Sequence, residues 1–149
     1  MTYEFGAKEI VQGSGYISRQ CCGSTEIELG TVYAAEMGIT LLSDIDRYTL
    51  EDAQVTLVFH LVLADDSVED VPMGVFEVSE ANRLAKCLEL KAYDFMLRFD
   101  KSFNGFETVG TAYDFIALCC KRCKVEFANK RAEIDAMPNG GVTLSVYTE

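Results

Sequence analysis

The chain has 149 residues, with 24 acidic against 13 basic side chains, a net charge of −11 and an isoelectric point near 4.5. That length suffices for one domain with a real core. The acidic balance argues against binding nucleic acid or anionic lipid by bulk electrostatics, and no apolar run approaches the ~20 residues of a membrane-spanning helix.

The first residues, MTYEF, lack the basic start and apolar stretch of a secretory signal. The chain is therefore expected to be made in the cytosol, with its six cysteines reduced. Residues 8–20 read as an edge strand loosened by Gly13 and Gly15. Gly23 and Ser24 mark a turn, and residues 26–29 form a short strand that stops at Gly30. Over residues 31–42 the apolar positions alternate: Tyr33, Ala35, Met37, Ile39 and Leu41 point one way, the signature of a half-buried strand. Residues 43–52 are a polar connection. Its acids lack the central Gly and terminal Glu of a calcium loop and read as solvated.

Residues 53–64 are the strongest strand. Val55, Leu57, Phe59, Leu61 and Leu63 make one apolar face. The other face carries Gln54, Thr56 and His60, joined by Val58 and Val62. That second face is only partly polar, which marks Val58, His60 and Val62 as candidates for an interface. Asp65-Asp66-Ser67 predicts a hairpin turn, with a return strand to Val78. A polar turn is expected at residues 79–83, a further strand at 84–92 and a short helix over about 92–98.

Helical spacing appears over about 108–124, where Val109, Ala112, Tyr113, Ile116, Cys119, Cys120 and Cys123 form one stripe. Thr108 or Thr111 suits the N-cap, and Lys121, Arg122 and Lys124 suit the C-terminal dipole. Residues 125–127 read as a short strand and 129–135 as a polar stretch. Pro138-Asn139-Gly140-Gly141 is a turn, and residues 142–147 form a final strand. The fold expected is α+β and β-rich: an antiparallel, barrel-like sheet with one main helix and one short one, in a single domain spanning the chain.

Cys120-Lys121-Arg122-Cys123 is a CxxC to which Cys21 and Cys22 could add two further zinc ligands. Core packing is the expected role of these cysteines, because Cys119, Cys120 and Cys123 fall on the apolar stripe. Adjacent residues such as Cys21 and Cys22 also point to opposite faces of a strand. His60 is the sole histidine and has no local nucleophile context. Asp94 and Asp114 read as caps near helix starts rather than as paired catalytic carboxylates. No nucleotide-binding, dinucleotide-binding or metalloprotease motif is present. No catalytic residue and no cofactor is therefore expected.

The order of three segments carries a resemblance. PMGVFEV followed by a polar turn and LKAYDFMLRFD, VQGSGYISRQCC with IELGTVYAAEMGITL before it, and TVGTAYDFIALCCKRCKVEF after it resemble the hub proteins of phage and prophage tail tips and baseplates. The likeness spans residues 10–127 and includes no catalytic motif. It implies a minor structural protein of the virion tail, built in the bacterial cytoplasm, that joins the tail tube to a spike or host-facing tip. It implies tail proteins as partners, a threefold ring as the assembly, and further domains beyond Glu149. The alternatives are the non-catalytic anchor of a tail-associated peptidoglycan hydrolase, and a zinc protein built on Cys21, Cys22, Cys120 and Cys123.

Overall fold

A computed structural model of the protein describes residues 1–20, 31–103 and 106–148. The chain is mixed α+β and strand-rich, 38% strand against 20% helix, with a curled antiparallel half-barrel sheet. It divides into two compact units, Met1–Leu97 and Arg98–Glu149.

The first unit is a five-stranded antiparallel sheet: β1 (Tyr16–Ser18), β2 (Glu36–Leu42), β3 (Gln54–Val62), β4 (Val68–Leu84) and β5 (Cys87–Tyr93), in the order β1-β2-β5-β4-β3. Its core lies on the face set by the alternation in β2. Ala35, Met37, Ile39 and Leu41 are all buried, and the register places Leu88, Leu90 and Ala92 of β5 beside Leu41, Ile39 and Met37. Phe76 and Val78 of β4 complete this layer. Phe5, Ile10, Ile45 and Leu50 pack over it from the connections.

The sheet curls. Three strand spacings, roughly 14 Å, would separate β1 from β4 in a flat sheet. Yet the Arg19 guanidinium, just past β1, donates to the Met73 carbonyl of β4. Met73 is the extra residue of a β-bulge, because the register passes from Val58↔Pro72 to Leu57↔Gly74. Gly74 sits there at φ +132°, a conformation that side-chain-bearing residues rarely adopt. At the other edge the Tyr16 ring lies over Gly38, its register partner, in space that a Cβ would occupy.

The expected polar turn at residues 79–83 is not a turn. β4 continues to Leu84, and a two-residue connection, Ala85-Lys86, leads to Cys87. A second irregularity, between Val78 and Glu80, re-phases the strand so that Ala81 and Arg83 are half-buried. The Arg83 guanidinium donates to the carbonyls of Ser43 (2.8 Å) and Ile45, tying the polar connection down. The expected short helix is a 3-10 turn over Phe95–Phe99; Ala92 and Tyr93 belong to β5. Asp94 accepts from the Met96 N–H at 3.0 Å, as a cap does.

The second unit pairs β6 (Phe106–Gly110) with β7 (Leu144–Thr148) and carries α1 (Ala112–Cys123) and a short α2 (Arg131–Asp135). α1 starts later than expected, and Val109 is an exposed strand residue. Residues 125–127 are not a strand, and part of the stretch read as merely polar is α2. Asp114 organises this unit. Its carboxylate accepts from the Thr111 N–H (2.8 Å) and hydroxyl (3.2 Å), and from both terminal nitrogens of Arg131, at 3.2 and 2.5 Å. Arg131 also lies over the Tyr113 ring at 4.5 Å. The helix start and α2 are thus joined through one side chain.

Leu88→Ala removes a fully buried side chain and should cost about 2–5 kcal/mol, whereas Leu84→Ala, 69% exposed on the neighbouring strand, should stay within about 0.5 kcal/mol; chemical denaturation measures both. Arg131 and the Thr111 N–H hold the Asp114 carboxyl far below the usual carboxylate range. Its folded pKa is depressed, so its contribution is present above about pH 4 and is lost as pH falls toward the folded value. Asp114→Asn should therefore lower the thermal midpoint at pH 7, and the gap to wild type should narrow only below about pH 4.

Candidate functional site: the open edge of β3

β4 is 17 residues long, but β5 pairs only with Glu77–Leu84. The earlier half, Val68 to Gly74, has β3 as its partner strand. The distal ends of β3 and β4 therefore run on as a two-stranded arm, exposed on both faces from Val58 to Asp70. A turn closes the arm. Leu63 N–H donates to the Ser67 carbonyl (2.8 Å), and Asp66 N–H donates to the Leu63 carbonyl (3.0 Å). The Asp65 carboxylate accepts from the hydroxyl (2.6 Å) and backbone (3.1 Å) of Ser67, which lowers its pKa.

The apolar face read from the sequence divides along its length. Val55 and Leu57 are half-buried and pack on the core. Phe59 and Leu61 continue the same face onto the arm, where β2 and β5 no longer flank it, and Phe59 is 55% exposed. On the opposite face Val58 and Val62 are exposed, Val62 to 65%. Between them His60 Nδ1 meets Asp70 Oδ1, its register partner, at 2.5 Å, with both side chains about two-thirds exposed.

The backbone gives Val58, His60 and Val62 a further property in common. The N–H of Val78 donates to the Ala53 carbonyl at one end of the β3–β4 ladder, and the N–H of Leu63 donates to Ser67 at the other. Backbone groups alternate in direction along an antiparallel strand. The extra bulge residue is on β4, so the alternation along β3 is unbroken. The odd-numbered residues 53–63 therefore turn their N–H and C=O toward β4. Gln54, Thr56, Val58, His60 and Val62 turn theirs outward. β3 is the outermost strand of the sheet, and no strand pairs with that outer edge among the described residues. A free row of donors and acceptors with apolar side chains on both faces is equipped to bind another strand.

The remaining candidates behave as structure. Cys120 and Cys123 are buried on α1, Cys119 is half-buried, and burial pushes the Cys119 and Cys120 thiols up. Cys21 and Cys22 lie outside the described residues. Among the described residues, no group of three His, Cys, Asp or Glu side chains is placed to hold a metal ion. A shallow open groove on the sheet face opposite the core is lined by Tyr16, Thr40, Glu80, Asn82, Glu89 and Lys91. Neighbouring Glu36 accepts from Tyr16 Oη (2.6 Å) and sits 3.2 Å from Lys91 Nζ. Tyr16 holds the Glu36 carboxyl below its ordinary pKa. Glu36 thus staples β1 to β2 and β5 through Tyr16 and Lys91. Among the described residues no helix is long and apolar enough to cross a membrane.

Compared with known proteins, the chain matches no family model, no curated protein and no solved structure.

Because Val62 makes so little contact within the chain, Val62→Ser should leave stability in dilute solution within about 0.5 kcal/mol of wild type. Denaturation curves in dilute solution would show it, and a large loss would mean that the arm is packed rather than free.

Proposed function

We propose that this chain is a structural assembly module of a phage or prophage tail tip or baseplate hub, acting through protein–protein contact and not through turnover. The observation that supports an assembly role is the β3–β4 arm, which exposes apolar side chains on both faces and whose outer backbone edge no other strand covers among the described residues. A chain that keeps such an edge risks uncontrolled association unless a partner covers it. The acidic surface, with its net charge of −11, suits a part that joins proteins and does not track nucleic acid.

The setting in a phage tail is supported by the resemblance of residues 10–127 to tail tip hub proteins. In that setting the partners are the tail tube and the spike or tip, and copies of the chain sit in a threefold ring. The chain then resides in the virion tail, after assembly in the bacterial cytoplasm.

Tail particles purified from a strain that carries the gene should contain this chain, in a copy number divisible by three. Quantitative peptide mass spectrometry of sedimented particles tests it. A chain that stays in the soluble fraction while intact tails sediment would overturn the reading.

A further inference from the structure

We propose that the open edge of β3 pairs antiparallel with β3 of a second copy of this chain, in the register that sets Val58 opposite Val58. The inference rests on the geometry of unit Met1–Leu97 alone and does not need the tail-tip reading.

Charge permits a second copy at this strand. The sequence of β3, QVTLVFHLV, contains no Asp, Glu, Lys or Arg, in a chain of net charge −11. Two copies that repel elsewhere can approach along this strand. Glu69 and Asp70 lie on β4, about 5 Å further from the axis, and Asp65 and Asp66 lie in the turn past the end of β3.

The register follows from symmetry. β3 spans Gln54–Val62, and Val58 is its midpoint. A twofold axis at Val58 sets Gln54 opposite Val62 and Thr56 opposite His60. All five are the residues whose N–H and C=O face outward, so each outward group meets an outward group. The pairing forms about ten backbone hydrogen bonds across the two edges. Shifting one copy by a single residue would set outward groups against inward ones.

The side chains agree with the same register. Residues directly opposite in an antiparallel pair share a face. Leu57 of one copy faces Phe59 of the other, and Val55 faces Leu61. Phe59 and Leu61, exposed on the arm, are thereby laid beside Val55 and Leu57, which already border the core. Each copy's arm extends the apolar face of the other. β3 also lacks the usual protections of an edge strand: it has no proline, no lysine and no bulge of its own. The contact is isologous and closes on itself, so it adds a twofold axis and leaves other surfaces free for ring contacts.

Cysteine cross-linking reads the register. In Val58→Cys the two new thiols lie on opposed residues with Cα atoms about 5.5 Å apart, within disulfide range. In Val62→Cys the two positions are eight residues apart along the ladder, about 27 Å. Mild oxidation should link Val58→Cys into dimers at least about tenfold faster than Val62→Cys, with the 58–58 linkage identified by peptide mass spectrometry against the native cysteines. Sedimentation equilibrium should show the wild-type mass rising from one chain to two with concentration. Val58→Lys should stay at one chain with an unchanged melting curve. Equal linking of the two cysteine variants would overturn the proposal. So would a wild-type mass of one chain at every concentration, which would assign the edge to another segment of the chain or to a different partner, or a dimer that survives Val58→Lys.

Discussion

The constraint on which this structure turns is a mismatch of strand lengths. β4 extends well beyond the strand that pairs with it on its inner side. Where β5 pairs with it, β4 sits inside a sheet and its Val78 is buried. Beyond the bulge β4 has only β3 as a partner strand among the described residues, and Val68, Glu69 and Asp70 are exposed. A two-stranded ribbon is at best marginally stable by itself in water. The arm persists because it is continuous with a five-stranded sheet and because Asp65 and Ser67 fix its turn.

The transition between the two halves falls at the bulge. Pro72, Met73 and Gly74 stand where β4 leaves the sheet, and Gly74 takes a backbone conformation that a side chain would oppose. Pro72 donates no N–H, and it lies opposite Val58, whose own N–H and C=O face outward. Arg19 holds the Met73 carbonyl from across the curl of the sheet. The bulge thus sets how the arm leaves the sheet, and the parity of β3 sets which backbone groups it offers. The second unit solves a separate problem by a different device, one carboxylate that caps α1 and grips α2 through Arg131.

Much of the fold was legible from period and punctuation. The alternation around Met37 and Ile39 located the core strand, and Asp65-Asp66-Ser67 located the turn of the arm. The extent of β4 was not legible. Ser79 to Arg83 reads as loop by composition, yet cross-strand pairing with β5 and the anchoring of Arg83 make it strand. Ala85-Lys86 carries none of the Asn-Gly or Asp-Gly signals of a tight hairpin turn. The start of α1 was misplaced because Val109 falls in phase with the helical stripe, although it belongs to β6. At the candidate site, the sequence singled out Val58, His60 and Val62 by their side chains. It could not show that β5 stops short of the arm, nor that these residues share an outward-facing backbone, because both depend on pairing between distant segments. The reverse holds for Phe59 and Leu61, which read as core from their alternation and are exposed on the arm, where β4 is their only partner strand among the described residues.

The most direct test of this account is amide hydrogen exchange along β3, read residue by residue at low and high protein concentration. The structure expects the amides of Val55, Leu57, Phe59 and Leu61 to be protected at both, since they face β4. Those of Gln54, Thr56, Val58, His60 and Val62 should exchange freely when dilute and become protected together as concentration rises. If the second set is protected at every dilution, or stays free at every concentration, the edge of β3 is not an assembly surface between copies of this chain.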